Sequence, residues 1–250
     1  YALLLLHLDN EANEAWTIIK DVNLDSDQSP LIIFSKANIA MHTGRNEEVL
    51  DLILEFELSS DTWPFHYLEF MRGLALIRKL DPNCNQFFQN YIQKMHQKNY
   101  VKESYQKLAW SRLLANDHQG YRDYLSQAKV KGLASVDGDK NALKESKEMS
   151  RGKLPNVVLL QARLLCDGGY FERALELLMS QRETLAVHEE NQIEYFYRIG
   201  RIYHDTDRLP EALNHYQKTV LIGRQSPEYF ACNAALQMGL IYESQEDYEK

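Results

Sequence analysis

Three segments in the C-terminal part of the chain are similar to one another, and this internal repeat constrains the fold more than any other feature. They read LLQARLLCDGGYFERALELLM at residues 159–179, IGRIYHDTDRLPEALNHYQK at residues 199–218, and QMGLIYESQEDYEK at residues 237–250. Self-similarity at a fixed period is the signature of stacked supersecondary units. The repeat therefore predicts an array in which each unit buries its apolar face against the next.

The register of small and large residues predicts that each unit is a pair of helices. A small residue occupies the same place in each segment, at spacings of 38 and 39 residues: Ala162, Gly200 and Gly239. Three positions after the small residue stands a large one: Leu165, Tyr203 and Tyr242. After the turn, another large residue begins the second helix: Phe171, Leu209 and Tyr248. Ala174 and Ala212 supply a small residue on the second helix. Small residues allow the two helices to approach closely, and large neighbours fill the groove between them.

The rest of the chain also has a helical pattern, because apolar residues recur at steps of three and four positions. Only 11 glycines and 6 prolines punctuate 250 residues, too few for many short strands, and 44% hydrophobic content is too high for a disordered chain. Helix starts are predicted where a capping residue precedes proline: at Ser29–Pro30, at residues 61–64 and at Ser226–Pro227. Pro155 is a further candidate, without a capping side chain before it.

Three regions are predicted along the chain. Residues 1–131 contain degenerate helix pairs, and residues 155–250 contain the clear repeats, the last of them truncated. Residues 132–154 are the most polar and glycine-containing stretch, and they are interpreted as a linker or a mobile insertion with one short amphipathic helix.

The opening YALLLL has no features of a signal peptide, and it is interpreted as the tail of a helix, so that the chain is a fragment or a processed product.

At the repeated residues the chain resembles the tetratricopeptide repeat (TPR) family, and as a whole it resembles bacterial TPR proteins of unassigned function. Several positions depart from the family pattern: its first-helix tryptophan is Val158 and Phe196 here, and its closing proline is absent at Arg224. The period also exceeds the family's usual length of about 34 residues. The resemblance implies an all-α fold, a right-handed α-solenoid of antiparallel helix pairs forming a TPR-like superhelix.

The resemblance also implies a concave groove, lined by the first helix of each pair, that binds a peptide or a partner helix. The candidate partner-binding residues are Arg163, Asp167, Tyr197, Arg198, Arg201, His204, Asp205 and Asn233. The other groove positions are Asn156, Leu159, Cys166, Glu194, Leu236, Leu240 and Glu243. The family's clamp for C-terminal carboxylates is not expected, since Leu159 stands where a lysine is required.

One local pattern has two interpretations. The strings ARLLCD and GRIYHD each place an aspartate four residues after an arginine, in Arg163–Asp167 and in Arg201–Asp205. The first interpretation is a set of ion pairs within or between helices. The second is a binding stripe in which Arg163, Arg198 and Arg201 grip an acidic peptide while Tyr197 adds apolar contact area.

The sequence contains no motif of a catalytic, nucleotide-binding or metal-binding site, so we expect neither an enzyme nor a cofactor. His204 and His215 are interpreted as polar-face or groove residues rather than metal ligands. The three cysteines, Cys84, Cys166 and Cys232, are interpreted as reduced structural thiols, since they are odd in number and far apart.

Charge and hydropathy exclude two further classes of partner. A net charge of −8 argues against nucleic acid, whose phosphates require a surplus of cations. No apolar run approaches the roughly 18 residues of a membrane span, so a soluble chain is expected. Residues 1–60 are rich in acids and residues 94–131 in bases, which indicates either solvated helix faces or a charged contact surface.

Two functions agree with these observations. The first is a non-enzymatic scaffold that binds a peptide or partner helix in its groove. The second is a structural or self-assembly module whose repeats contact other subunits.

Overall fold

The computed structural model describes residues 1–9, 11–22, 29–54, 65–95 and 99–245. Within these ranges 78% of the residues are helical and there is no strand, which confirms the all-α class. The helix start predicted at residues 61–64 and the helix opening at Tyr248 lie outside the described residues.

The chain divides into two compact units. Unit 1 comprises residues 1–154 and 167–169, and unit 2 comprises residues 155–166 and 170–250. The helices of unit 1 are α1 (Ala2–Leu4), which continues as a π-helical turn (Leu5–Asp9), α2 (Ala12–Ile19), α3 (Pro30–His42), α4 (Asn46–Leu54), α5 (Tyr67–Arg78), α6 (Cys84–Met95), α7 (Val101–Leu114), α8 (His118–Val130) and α9 (Asp137–Met149).

In unit 1 each helix from α3 to α8 packs against the next helix in the chain, and α9 also packs against α7. Aromatic side chains fill the space between α5 and α6, where Phe70 and Phe88 are buried with their ring centroids 5.8 Å apart. Gly73 makes this contact possible, because a Cβ at that position would lie 2.7 Å from the Phe88 ring. The weak repeats of the N-terminal half therefore use the same small-against-large contact as the clear ones.

Unit 2 contains α10 (Val157–Asp167), which ends at the boundary with unit 1, α11 (Phe171–Ser180), α12 (Arg182–Leu185), α13 (Glu189–Asp205), α14 (Leu209–Ile222) and α15 (Phe230–Ser244). A single 3₁₀ turn lies at Gly223–Gln225. Helix α13 packs against α11, α14 and α15, and α14 packs against α15. The buried core shared by α13, α14 and α15 consists of Ile193, Tyr197, Ala212, Tyr216, Phe230, Ala234 and Ile241.

The small residues of the register have different surroundings from one repeat to the next. Ala162, Ala174 and Ala212 are completely buried. Gly200 is buried against α14, where a Cβ would lie 2.7 Å from the ring of Tyr216. Gly239 is exposed, and a Cβ built on it meets no atom within 4 Å. The close approach predicted from the register is therefore confirmed at Gly200, and it is absent at Gly239 among the described residues.

The predicted helix starts have three different outcomes. Helix α3 begins at Pro30 after Ser29, as predicted. The prediction at Ser226 is wrong, because α15 begins only at Phe230 and the Ser226 hydroxyl instead accepts a hydrogen bond from the backbone N–H of Glu228. Near Pro155 the cap is the residue that follows the proline: Asn156 Oδ1 accepts the N–H groups of Val158 at 3.0 Å and Leu159 at 3.2 Å.

The polar segment at residues 132–154 contains α9, whose inner side is buried in unit 1. Asp139, Ala142 and Ser146 have no exposed surface. Their spacing of three and four residues places them on one side of the helix, toward α7 and α8. The other side of α9 carries the charged residues that made the segment look like a linker.

Candidate functional site

Most of the candidate residues lie on α13. Steps of three and four positions place several of them on one side of that helix. Residues 194, 198, 201 and 205 follow this spacing, and Tyr197 and His204 lie beside them. Arg163 and Asp167 are half-buried on α10, and Asn233 is half-buried on α15.

Arg198 is buried in the interior of unit 2. Only 6% of the residue is exposed, and Nε and Nη2 of its guanidinium donate to Oε1 of Glu194 at 3.0 and 2.7 Å. The rings of Tyr197 and Phe230 pack against each other with centroids 5.3 Å apart, and each centroid lies 5.7 Å from Cζ of Arg198. A buried guanidinium needs such partners, since an unpaired charge away from water is very costly. Arg198 therefore has a structural role that follows from its surroundings.

Arg201 and Asp205 form the predicted ion pair one turn further along α13. Nη2 of Arg201 lies 3.2 Å from Oδ2 of Asp205, and about a third of each side chain is exposed, 33% and 32%. The same Asp205 oxygen is 3.6 Å from Sγ of Cys166 on α10. The structure thus brings together three groove positions from two helices, with the ion pair partly open to solvent.

His204 points toward α14. Its Nδ1 is 3.4 Å from the hydroxyl oxygen of Tyr216, whose ring is completely buried. Burial lowers the pKa of His204, and it raises the pKa of Tyr216. Both shifts favour the neutral forms, because removal from water disfavours the charged ones. The pair is therefore a neutral contact between helices at neutral pH.

Helix α15 carries exposed apolar side chains at two of the predicted groove positions. Leu236 is 59% exposed and Leu240 is 46% exposed, four residues apart on the same side of the helix. Gly239 lies between them in the sequence and leaves its backbone open. These two leucines are called the α15 leucines below.

A buried polar network in unit 1 was not anticipated from the sequence. Its centre is the carboxylate of Glu145 on α9, which accepts Nε1 of Trp110 at 2.9 Å, the Tyr121 hydroxyl at 2.9 Å and Nε2 of Gln106 at 2.5 Å. The donors come from α7 and α8 and lie 24 to 39 residues away in the sequence. No local pattern marks such partners, so only packing reveals them.

Asp139 forms a second buried link between α9 and α7. Its two carboxylate oxygens accept the backbone N–H groups of Tyr100 at 2.7 Å and Glu103 at 3.0 Å. These groups lie at the start of α7, where backbone donors have no partner within the helix. Lys102, in the same turn, donates from Nζ to the carbonyl oxygens of Ala128 at 2.9 Å and Lys129 at 3.3 Å, at the end of α8.

The described residues contain no group of three or more histidine, cysteine or acidic side chains arranged to hold a metal ion. None of the helices in those ranges combines the length and the apolar character that crossing a bilayer requires. All three cysteines are free thiols; Cys84 and Cys166 are buried and Cys232 is exposed. Burial raises the pKa of the Cys84 thiol to about 12.

Comparisons with protein-family models, with curated proteins and with solved structures found no match to this chain.

Proposed function

We propose that the chain is a non-enzymatic protein-interaction scaffold, and that unit 2 binds a peptide or a partner helix in a concave groove. In this proposal the helix pairs of unit 2 are antiparallel and stack as a right-handed TPR-like solenoid. The contact of Gly200 with Tyr216 supports this arrangement, since it is the close helix–helix approach on which the register of the repeats depends.

The α15 leucines are the observation that carries the proposal. Exposed apolar side chains that recur on one side of a helix are typical of surfaces that a partner covers. Arg201 lies at the position of the preceding repeat that corresponds to Leu240, and Arg201 and Asp205 are partly exposed. Such a surface offers apolar contact area on one helix and charged hydrogen-bonding groups on another, the combination found at peptide-binding interfaces.

A peptide-display selection tests the proposal. Random peptides are selected on the wild-type chain, and their affinities are measured for wild type, for a groove variant with Leu236→Glu and Leu240→Glu, and for a control variant with Val187→Glu and Leu221→Glu. The control residues are also exposed, at 73% and 61%, but lie outside the predicted groove. We expect the groove variant to lose binding while the control variant retains it.

Two results would contradict this proposal. One is a set of selected peptides that bind the groove variant as tightly as wild type. The other is self-association of the chain that rises with concentration in light scattering and is abolished in the groove variant, because it would assign the surface to the alternative function, a self-assembly module. Circular dichroism of each variant checks that the helices remain folded.

A further inference from the structure

The outer side of α9 carries a row of cations that the proposed groove of unit 2 does not involve. Lys140, Lys144 and Lys147 follow the four- and three-residue steps of one helix face, and Arg151 continues the row in the turn that ends the helix. All four residues are exposed. Eleven residues at 1.5 Å each give the row a length of about 16 Å. These four residues are called the α9 basic face.

The opposite side of α9 is fixed firmly in unit 1. Asp139 accepts two backbone hydrogen bonds from the start of α7, and Glu145 accepts donors from α7 and α8. Ala142 and Ser146 are fully buried. The cations are therefore displayed on a rigid element, which reduces the entropy that a partner must overcome on binding.

The row contains like charges at the spacings that bring helix side chains together. Lys144 lies four residues after Lys140 and three before Lys147, and such like-charge neighbours destabilise a helix. Nζ of Lys140 lies 2.9 Å from Oδ1 of Asp137, and Nζ of Lys144 lies 3.7 Å from Oε1 of Glu148. The charges of half of the row are therefore compensated by acidic partners.

Lys147 and Arg151 are the uncompensated half of the α9 basic face. Among the described residues, neither side chain has an ion-pair or hydrogen-bond partner. Their place at the C-terminal end of α9 is favourable for cations because of the helix dipole, which offsets the repulsion between them. The charges of Lys147 and Arg151 therefore remain available to a ligand that carries negative charge.

We propose that the α9 basic face is a docking surface for an acidic segment of another protein, a run of aspartate and glutamate side chains. An extended segment rises about 3.3 Å per residue, so about five residues span the row. The carboxylates of the segment would pair first with Lys147 and Arg151, and charge complementarity would set its position on the helix.

An acidic protein segment fits this surface better than nucleic acid does. Binding to nucleic acid needs cations along the whole length of a phosphate backbone, whereas the four cations of this face span only about five residues of an extended acidic segment. Single-stranded nucleic acid also requires aromatic side chains on which bases stack. The nearby rings of Trp110 and Tyr121 are buried, and their polar atoms donate to Glu145.

The test is fluorescence anisotropy with a labelled oligoglutamate peptide at low and at high salt. A variant of the face carries Lys147→Gln and Arg151→Gln. Its matched control carries Lys20→Gln and Arg224→Gln, which removes the same two charges from exposed positions elsewhere. We expect the face variant to bind about tenfold more weakly, equivalent to about 1.4 kcal/mol, and the control to bind as wild type does. Binding should weaken strongly with salt, because the contacts are exposed.

The proposal is overturned if the peptide does not bind the wild-type chain at low salt. It is also overturned if the face variant and its control bind the peptide with the same affinity. A single-stranded oligothymidylate provides the second arm of the experiment. Tighter binding of that oligonucleotide than of the peptide, lost in the face variant, would assign the surface to nucleic acid instead. Because this face lies in unit 1, its failure leaves the test of the α15 leucines unaffected.

Discussion

Replacing Gly200 by alanine should destabilise unit 2 through a single methyl group. A Cβ on this residue would lie 2.7 Å from Cδ1 and 2.8 Å from Cε1 of Tyr216, closer than carbon atoms approach without repulsion. The Tyr216 ring cannot easily move away. It is completely buried, and its centroid is 6.1 Å from that of Tyr197 and 6.0 Å from that of His204.

The magnitude follows from two opposing effects. An extra methyl group in a packed interior costs about 1–3 kcal/mol. Alanine in the middle of a helix is more favourable than glycine by about 1 kcal/mol. Gly200→Ala should therefore lower the free energy of unfolding by up to about 2 kcal/mol, and Gly200→Leu should lower it further.

Gly239→Ala is the matched control. Gly239 occupies the equivalent place in α15, also in the middle of its helix, and among the described residues no atom outside the adjacent backbone lies within 4 Å of an added Cβ. Only the helix-propensity effect remains there, so this variant should have a free energy of unfolding about 1 kcal/mol higher than that of wild type. The propensity effect cancels in the difference between the two variants, which isolates the cost of the contact with Tyr216.

The assay is urea unfolding followed by far-UV circular dichroism, with hydrogen exchange of peptides from α13 and α14. Tryptophan fluorescence reports on unit 1 alone, because Trp16, Trp63 and Trp110 all precede residue 155. If Gly200→Ala and Gly239→Ala stabilise the protein equally, the close approach of α13 and α14 is refuted, and with it the packing argument drawn from the register.

Three further predictions concern other elements. Asp139→Ala should destabilise unit 1 by about 2–3 kcal/mol, because it removes the acceptor of two backbone N–H groups at the start of α7; Asp139→Asn, which keeps one acceptor, should cost less in the same urea titration. Asn156→Ala should cost about 0.5–2 kcal/mol by removing the cap of α10, and Asn156→Ser should restore most of it; equal midpoints for the alanine variant and wild type would contradict the cap. Burial lowers the pKa of His204 and His215, so the unfolded chain binds their protons more tightly. Their contribution to stability is complete above the unfolded pKa of about 6.5 and is lost as the pH falls below it. Thermal unfolding between neutral and mildly acidic pH should show this loss, and a variant with both histidines changed to glutamine should show a smaller one.

Local patterns in the sequence were sufficient for the class of fold and for one helix–helix contact. Steps of three and four apolar residues depend only on neighbours along the chain, so they predicted helices throughout the part that the structure describes. The register predicted a close approach at Gly200, but it named Leu209 and Ala212 on the second helix and not Tyr216, which makes the contact. The helix start at Ser226 was wrong, because a proline and a hydroxyl residue are also typical of a turn that precedes a helix.

The burial of each charged residue was decided only by the tertiary structure. Arg198 and Arg201 are three residues apart and look alike in the sequence, yet Arg198 is buried beside two aromatic rings while Arg201 remains partly exposed. Glu145 looks like an ordinary surface acid, but it accepts donors from helices up to 39 residues away. The sequence alone determined that the described part of the chain is helical, because periodicity is a short-range property. Which polar groups are buried depends on the packing of distant helices, since burial follows from the elements that cover a residue and each buried polar group must then find a partner.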